Sequence, residues 1–387
     1  MKKLLIVNNN MHIGGVQKAL VSLLWSIRGR YEVTLLLFHP KGACMDELPP
    51  EVRVISPNRA FCYLGMPKQD VHSIKDKLGR GFFAAITRLF GRKYAVRLMS
   101  IGQKMLTGFD AAISYLHDSG DKAFYGGCND FVLKHVSAER KLTFLHCDYV
   151  LCGANTPQNA DKYAKFDGIA ACSQGCADAF LQVNPGLKDQ VWVVRNCHRF
   201  DKLLSAAASA QVALKPDKLN LVTVARFGKE KSVERGLLAL ARLGAQKEKL
   251  HYWIIGDGVQ RPVLQRIIEE EQLSSCVTLC GELKNPYGYM QAADLLLIPS
   301  VSEAAPLVIG EAACLGTPIL STKTSSAVEM IAEPGFGWVC ENSVEGLACS
   351  LEELLGRPEL LQEARGRLER LAVDNRAAVE QFDALLR

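Results

Sequence analysis

Residues 294–313, which read DLLLIPSVSEAAPLVIGEAA, join a short apolar run to a helical pattern. The run 294–299 ends at a proline and is typical of a buried strand in a parallel sheet. Pro306 favours the first turn of a helix, because proline lacks the N–H that would have no partner there. Gly316 fits the position just past the end of that helix. The stretch therefore predicts a strand, a loop and a helix, which is the repeating unit of a parallel α/β fold.

Two carboxylates lie on this stretch, Glu303 in the predicted loop and Glu311 inside the predicted helix. Open α/β sheets bind ligands at the carboxyl ends of their strands, so we expect Glu303 to face a ligand. The backbone amides that follow Pro306, at Leu307 and Val308, would form an anion site at the helix N-terminus. Amides that hold phosphate, combined with carboxylates that accept hydrogen bonds from hydroxyls, fit a sugar nucleotide.

The same alternation of short apolar runs and helical patterns extends over most of the 387 residues. It predicts an α/β fold with two Rossmann-like domains that face each other across a cleft. We expect an N-terminal domain at 1–200, a hinge at 201–218 and a C-terminal domain at 219–365. The remaining segment, 366–387, has helical periodicity.

The composition, 48% hydrophobic and 22% charged, is that of a globular protein rather than a disordered or fibrous one. The apolar run at 4–7 is too short for a signal peptide and has no cleavage site, and no apolar stretch is long enough to span a membrane. The 13 cysteines form no framework, which predicts reduced thiols and a cytoplasmic location. The net charge of +5 is modest, and no nucleic-acid partner is expected.

Positive charge is concentrated between Pro67 and Lys104, where only Asp70 and Asp76 oppose it. The basic residues there are Lys68, Lys75, Lys77, Arg80, Arg88, Arg92, Lys93, Arg97 and Lys104. Apolar residues recur among them at helical spacing, at Phe82, Phe83, Ile86, Leu89 and Phe90. A basic amphipathic helix can lie on an anionic membrane, where each basic residue contributes about 1 kcal/mol. The alternative is a solvated helix whose apolar stripe packs on the core, and both interpretations stay open.

Arg226 and Lys231 directly follow another predicted strand, at 219–225. Arginine presents a planar fork to phosphate oxygens and lysine a compact charge. The two side chains can therefore converge on one diphosphate and stabilise it as it leaves. The alternative is a pair of surface cations on a loop.

Glycines follow two more predicted strands, at Gly14 and Gly15 and at Gly256 and Gly258. Such glycines let a backbone approach a ligand, and the helix after Gly15 would point its N-terminus at that ligand. Each pair also fits an ordinary strand-to-helix turn. The G-x-G-x-x-G pattern of dinucleotide-binding domains is absent.

His146 comes at the end of the predicted strand 142–145. It is a candidate for a hydrogen bond to a sugar hydroxyl, and a structural histidine is the alternative. Cysteines lie near it in the sequence, at positions 147, 152, 172 and 176. Their spacings are not those of zinc sites, so no metal site is expected.

Taken in order and spacing, these motifs resemble the GT4 family of retaining glycosyltransferases, which have the GT-B fold. The resemblance runs over nearly the whole chain, and its most specific part is the pair Glu303 and Glu311 with Arg226 and Lys231 upstream. The other matching positions are Gly14 with Gly15, His146, Asn196, residues 256–258 and residues 285–287. Two departures, Ala304-Ala305 after Glu303 and Gln17 after the glycine pair, affect the expected shape of the sugar pocket rather than a phosphate or ribose contact.

The resemblance implies a role for each matching residue. Arg226 and Lys231 would hold the donor diphosphate, and His146 and Glu303 would touch the donor sugar, which makes these four the candidate catalytic residues. Glu311 would bind the ribose hydroxyls. The other implied donor-binding residues are Gly14, Gly15, Gly256, Leu283, Asn285, Pro306, Leu307 and Val308.

The resemblance also implies the reaction. A hexose or N-acetylhexosamine would pass, with retention and without a metal or other cofactor, from a nucleotide sugar to a cell-surface glycan or a lipid-linked acceptor. A UDP-sugar is preferred over a GDP-sugar as the donor. The tail helix at 366–387 would return to the N-terminal domain. A lipid-linked acceptor would place the enzyme at the inner face of the cytoplasmic membrane, with 67–104 as the membrane contact.

Three other functions were weighed. A sugar-nucleotide epimerase of the same fold would need further acid and base side chains that the sequence does not place. A non-catalytic, glycosyltransferase-like binding partner has no reason to keep Arg226, Lys231, Glu303 and Glu311 together. A dehydrogenase is disfavoured because the G-x-G-x-x-G pattern is absent.

Overall fold

A computed structural model describes residues 1–387. The chain divides into two compact units, the first formed by Met1–Cys197 with Asn375–Arg387 and the second by His198–Asp374. Each unit contains one sheet whose strands pair in parallel. The predicted α/β class with two Rossmann-like domains is therefore confirmed.

Strands and helices alternate along both units. The strands are β1 (Lys3–Asn8), β2 (Glu32–Leu37), β3 (Arg53–Ile55), β4 (Leu106–Ser114), β5 (Val136–Leu145), β6 (Gly168–Ala171), β7 (Val191–Val193), β8 (Leu219–Val224), β9 (Leu250–Ile255), β10 (Val277–Gly281), β11 (Leu295–Ile298), β12 (Ile319–Thr322) and β13 (Gly337–Cys340). The α-helices are α1 (Gly15–Ser26), α2 (Arg59–Gly65), α3 (Ile74–Phe90), α4 (Arg92–Met99), α5 (Cys128–His135), α6 (Pro157–Tyr163), α7 (Gln174–Val183), α8 (Phe200–Ala208), α9 (Val233–Arg242), α10 (Arg261–Glu270), α11 (Tyr287–Ala292), α12 (Leu307–Cys314), α13 (Val344–Gly356), α14 (Glu359–Glu369) and α15 (Arg376–Leu385). No helix combines the length and the apolarity needed to cross a membrane.

The strand order of each sheet indicates where a ligand site is expected. The seven strands of the first sheet run β3-β2-β1-β4-β5-β6-β7, and the six of the second run β10-β9-β8-β11-β12-β13. The order reverses between β1 and β4 in the first sheet and between β8 and β11 in the second. Open α/β sheets bind ligands outside the carboxyl ends of the strands at such a reversal. The loops that follow β8 and β11 are therefore neighbours, although about 70 residues separate them in the chain.

The last helix, α15, belongs to the first unit. Its apolar side chains Phe382 and Leu385 are buried in the same core as Leu4 and Ile6 of β1. Polar contacts add to this packing, since the Tyr31 hydroxyl donates a hydrogen bond to Asp383 at 2.6 Å. The predicted return of a C-terminal helix to the N-terminal unit is thus confirmed, although the returning segment begins at Asn375 rather than at residue 366.

A buried group of charges lies just beyond β4 in the first unit. Asp118 accepts hydrogen bonds from Lys162 at 2.9 Å and from Asn129 at 3.0 Å. The Arg92 guanidinium lies 2.8 Å from the other carboxylate oxygen of Asp118, as an ion pair without hydrogen-bond geometry. Lys162 also donates to Asp130 at 2.7 Å. Since burying a charge without a partner is costly, these residues stabilise one another's charged forms.

Candidate functional site

The candidate site of the second unit lies at the reversal of strand order, beside the carboxyl ends of β8 and β11. A small cavity of about 20 Å³ opens there. Its lining includes Thr223, Ala225, Lys231, Ser300, Glu303 and Val308. A space of this size holds about one water molecule. Lys231 and Glu303, both predicted site residues, therefore share a compact polar site at the sheet edge.

Lys231 and Glu303 form an ion pair across this cavity. The Lys231 ammonium donates to both carboxylate oxygens of Glu303, at 2.6 and 2.8 Å. The Ser300 hydroxyl donates to the same carboxylate at 2.7 Å. The Glu303 side chain is 9% exposed and that of Lys231 is 27% exposed. The pair is thus mostly withdrawn from water, which strengthens its electrostatic interaction.

The loop after β8 is held in the shape that aims Lys231. The Val301 N–H, in the loop after β11, donates to the Glu230 carbonyl at 3.0 Å and ties the two loops together. Ser232 has φ +44°, in the left-handed region that residues other than glycine rarely adopt. Its hydroxyl donates to the Lys229 carbonyl at 2.7 Å. Backbone strain of this kind is concentrated at functional sites, where the surroundings fix it.

Arg226 lies outside the Lys231–Glu303 pair. Its side chain is 76% exposed and forms an ion pair with Glu230 at 2.7 Å. Exposed ion pairs of this kind contribute about 0–1 kcal/mol. A diphosphate could therefore replace Glu230 as the partner of Arg226 at little cost. The convergence of Arg226 and Lys231 on one ligand stays a prediction.

Glu311 lies inside α12, and Pro306 precedes the helix without a side-chain cap. The amides of the first turn, at Leu307 and Val308, therefore keep the arrangement that suits an anion. The Tyr287 hydroxyl donates a long hydrogen bond of 3.4 Å to the Glu311 carboxylate. The predicted loop and helix positions of the two glutamates agree with the structure, while their contacts with a donor stay predictions.

Asn285 and Leu283 contribute to the fold of the loop before α11. The Asn285 amide donates to the Ala206 carbonyl at 2.7 Å and its oxygen accepts from the Tyr287 N–H at 3.2 Å. Leu283 packs, partly buried, against the apolar core. These contacts fix the shape of the loop, and the donor contacts that the resemblance implies for Leu283 and Asn285 stay predictions.

Gly256 and Gly258 are required by the protein backbone itself. Gly256 has φ +138°, and a Cβ at this position would lie 1.8 Å from the Ala225 carbonyl oxygen. A Cβ on Gly258, which has φ +156°, would lie 2.7 Å from the Phe227 carbonyl oxygen. The turn after β9 therefore packs closely on the loop that carries Arg226. An ordinary strand-to-helix turn, one of the two interpretations of the sequence, therefore accounts for both glycines. A contact between Gly256 and the donor stays a prediction.

In the first unit, Gly14 and Gly15 lie at the start of α1, after β1. Gly14 is the extended residue that precedes the helix, and Gly15 is its first residue. A Cβ on Gly15 would have nothing within 4 Å, whereas one on Gly14 would meet the Gln17 side chain. Open space at Gly15 leaves room for a ligand at the helix N-terminus.

His146 follows β5, and its ring packs against Tyr115 and Phe144 with centroids 4.7 and 5.5 Å apart. Its Nε2 atom is buried without a hydrogen-bond partner. Burial, with a smaller contribution from His117, lowers the pKa of His146 to about 3. The ring is therefore neutral near pH 7. A buried polar atom without a partner is unusual, and it suits a residue that completes its hydrogen bonds on binding a ligand.

One cluster was missed by the sequence reasoning. His12 and His39 both contact the Asp70 carboxylate through Nε2, at 2.8 and 2.7 Å. These three side chains lie close enough together to hold a metal ion. They are 27 and 31 positions apart in the chain, so no short motif could have revealed them. The expectation that the site residues need no metal stays a prediction.

Part of the chain is similar in sequence to known glycosyltransferases. Residues 206–369 match the model of the family described as Glycosyl transferases group 1. The chain is 30% identical over 166 residues to the alpha-monoglucosyldiacylglycerol synthase of Acholeplasma laidlawii, covering 41% of this chain and 42% of that protein. It is also 30% identical over 148 residues to the amylovoran biosynthesis glycosyltransferase AmsK of Erwinia amylovora, covering 35% and 36%. The chain spans between 34% and 57% of the length of the curated relatives it matches.

The likeness to solved structures extends over the whole fold. The Anabaena protein HepE, solved in complex with UDP and glucose, has a TM-score of 0.68 at 16% identity, covering 100% of this chain and 99% of that one. A glycosyltransferase from Rickettsia africae has a TM-score of 0.67 at 16% identity, covering 99% and 97%. At this identity the likeness establishes the fold, and it confirms the expected GT-B class. Residues 206–369 are thus similar to the glycosyl transferases group 1 family, and the narrower GT4 assignment stays a prediction.

Proposed function

We propose that this chain is a retaining glycosyltransferase of the GT4 family. It moves a hexose or N-acetylhexosamine from a UDP-sugar to a cell-surface glycan or a lipid-linked acceptor. The observation that carries the proposal is the Lys231–Glu303 pair, which lies beside the N-terminus of α12 at the reversal of strand order. The complex of HepE with UDP and glucose supports a UDP-sugar donor. Two relatives, the amylovoran biosynthesis glycosyltransferase AmsK and the alpha-monoglucosyldiacylglycerol synthase, support the acceptor class.

Donor binding would change the partners of Lys231 and Glu303. The Lys231 ammonium turns from the carboxylate to the diphosphate, where it stabilises the charge that develops as the sugar leaves. Glu303 then accepts hydrogen bonds from hydroxyls of the donor sugar, and the Ser300 hydroxyl continues to hold its orientation. Each group thus exchanges one polar partner for another, so both keep hydrogen bonds when the donor is bound.

The remaining roles follow from the chemistry of each group. Arg226 binds the same diphosphate with its planar fork, and the α12 amides contribute further hydrogen bonds. Glu311 accepts hydrogen bonds from the ribose hydroxyls. The neutral His146 ring offers its unpartnered Nε2 to the donor sugar. Because Arg226 and Lys231 stabilise the negative charge of the leaving diphosphate, as a metal ion would, the reaction needs no metal.

The experiment that tests this proposal measures nucleotide release from a panel of UDP- and GDP-sugars, with and without added EDTA. We expect release from at least one UDP-sugar, unchanged by EDTA, and a product that keeps the anomeric configuration of the donor in its NMR spectrum. An inverted product would contradict the retaining mechanism. Tight donor binding without release, for every sugar of the panel, would instead favour a non-catalytic binding partner.

Replacing Glu311 by alanine is expected to raise the KM for the donor by about 10- to 100-fold, because hydrogen bonds to a charged group contribute about 1.5–3 kcal/mol each. The change in kcat should be smaller, since the ribose is remote from the reacting carbon. Tyr287→Phe is the matched control, as it removes the 3.4 Å hydrogen bond to Glu311 and keeps the carboxylate. Equal KM values for Glu311→Ala and wild type would remove Glu311 from the donor site.

The pH dependence of UDP release should not depend on His146. Its pKa is lowered to about 3, so the ring stays neutral as the pH falls from 8 to 5 and gains a proton only in stronger acid. His146→Asn should therefore lower the activity without changing the shape of the pH profile over this range. The ordinary pKa of histidine is about 6.5. If the wild-type activity changed with pH around that value, and His146→Asn abolished the change, the lowered pKa of His146 would be contradicted.

A further inference from the structure

Helix α3 turns an apolar face towards solvent. Ile74, Leu78 and Leu89 are 75%, 70% and 71% exposed, and Phe82 is 58% exposed. With 3.6 residues per turn, these four side chains lie along one side of the helix. The two most buried residues of α3, Asp76 and Thr87, are polar, and its apolar residues Phe83 and Ile86 are only partly buried. A surface helix normally buries its apolar face, whereas α3 leaves these four large apolar side chains exposed.

The sequence left open whether the apolar stripe of this segment packs on the core or lies at a membrane, and the exposure of α3 bears on that choice. Of the predicted apolar stripe, Phe83 and Ile86 are partly buried, whereas Phe82, Leu89 and Phe90 are exposed. Packing on the core therefore accounts for only part of the stripe. The remainder needs another explanation.

Exposed apolar residues also follow α3 in the chain. Tyr94 and Leu98 of α4 are exposed, as are Ile101 and Met105 in the segment that follows. Helices α3 and α4 contact each other. Single exposed apolar residues are common, but a group of them on adjoining helices is typical of an interaction surface. We call the exposed residues of 74–105 the α3–α4 surface.

Positive charge borders the exposed apolar side chains. On α3, Lys75 lies to one side of the apolar line, and Lys77 and Arg88 lie to the other. On α4, Lys93 and Arg97 are exposed beside Tyr94 and Leu98. The α3–α4 surface therefore combines an apolar centre with basic flanks.

The acidic residues of the segment do not offset this charge. Asp76 is buried and pairs with Arg59 and the Ser73 hydroxyl. Asp70 lies before α3, and its carboxylate contacts His12 and His39. A partner of this surface must therefore be both apolar and negatively charged. A second copy of the chain would oppose like charges on each other, which disfavours self-association through this face.

We propose that the α3–α4 surface docks onto an anionic lipid bilayer. The apolar side chains enter the boundary between headgroups and acyl chains, while the flanking Lys and Arg side chains bind the acidic headgroups. Such a helix lies in the plane of the membrane and needs no spanning segment. Docking deepens the proposed function, on which its consequence rests: it would bring the transferase to a lipid-linked acceptor.

The test is co-sedimentation of the full chain with vesicles. Vesicles made of equal parts phosphatidylcholine and phosphatidylglycerol should bind the chain, and phosphatidylcholine vesicles should bind it much more weakly. Neutralising Lys75, Lys77 and Arg88 together, each to glutamine, should lower the affinity by about 100-fold, at about five-fold per basic residue. Added salt should weaken the binding of the wild type more than that of this variant.

A second variant removes the apolar contribution. Leu78→Gln, Phe82→Gln and Leu89→Gln together change only exposed side chains, so the fold should persist, and the affinity for anionic vesicles should fall at least ten-fold. The matched control replaces exposed apolar residues of the second unit, Leu204, Val259 and Leu371, by glutamine. Its vesicle binding should equal that of the wild type.

Binding of all variants equal to the wild type, or equal binding to both kinds of vesicle, would overturn the proposal. So would a chain that dimerises through this face and ignores vesicles. UDP release without vesicles reports on the proposed function separately. UDP release without vesicle binding would contradict the docking proposal alone. Vesicle binding without UDP release from any donor would contradict the proposed transferase function instead.

Discussion

Replacing Lys231 by methionine is expected to lower kcat for UDP release by about 10²- to 10³-fold, the usual cost of losing one group that stabilises charge in the transition state. Methionine keeps the length and the apolar stem of the side chain and removes only the ammonium. The leaving diphosphate then develops its charge without that cation. The Glu303 carboxylate, 9% exposed, also loses the partner that lies 2.6 Å away. The measurement is steady-state UDP release with the best donor of the panel.

Lys229→Met is the matched control, because Lys229 is two positions away and exposed. It should leave kcat within about two-fold of the wild type, as exposed charges contribute little. Lys231→Arg should recover only part of the activity, since the planar guanidinium does not replace a compact charge. Thermal unfolding of each variant separates loss of the fold from loss of chemistry. If a well-folded Lys231→Met chain keeps wild-type kcat, the role of Lys231 at the diphosphate is wrong.

The sequence predicted the residue types of this site better than their arrangement. A cation after one strand and a carboxylate after another are visible as patterns, and so is the helix start at Pro306. That β8 and β11 are neighbours depends on strand order, which no local pattern contains. The direct pairing of Lys231 with Glu303, 72 positions apart, follows from that order and could not be predicted. The ion pair of Arg226 with Glu230 was likewise missed.

Strand residues that are little buried were harder to predict than the buried ones. The apolar run 142–145 predicts only the buried end of β5, which extends from Val136 to Leu145. Its first residues are mostly exposed or partly buried, so they carry no apolar signal. The edge strand β13 was not predicted, because it is short and only partly buried. Burial on both faces produces the continuous apolar runs by which parallel strands are recognised.

The sequence could not predict which face of α3 is exposed to solvent. Helical periodicity reveals that apolar residues share a face, but the face can point to the core or to solvent. Tertiary packing decides between these, and here Gly79 lies against the Tyr63 ring while Ile74 and Leu78 point outwards. A sequence pattern therefore predicted the helix and its charge, and the structure was needed to find which side is free.

Replacing Asp118 by asparagine is expected to destabilise the first unit by about 3–5 kcal/mol, the cost of removing one partner from a buried ion pair. The side chains of Asp118 and Arg92 are 1% and 3% exposed, so water cannot replace the lost interaction. Asparagine keeps the shape of the side chain, which excludes a cavity as the cause. The measurement is urea unfolding, followed by hydrogen exchange of the amides in β4 and β5.

Glu51→Gln is the control for loss of a carboxylate, because Glu51 pairs with Arg28 at the surface. Its effect should stay below about 1 kcal/mol. An effect of Asp118→Asn as small as that of the control would mean that the buried charges do not stabilise the fold.

The same carboxylate predicts a dependence on pH. Burial opposes ionisation of Asp118, but the charges of Arg92 and Lys162 outweigh it and lower its pKa in the folded state. The unfolded chain has the ordinary aspartate pKa of about 3.9, so the contribution of Asp118 is complete above that pH and declines as the pH falls towards the folded-state pKa. The difference in unfolding free energy between wild type and Asp118→Asn should therefore be constant near neutrality and shrink in acid below about pH 4. A difference that grows on acidification would contradict the lowered pKa and the ion pairs from which it is derived.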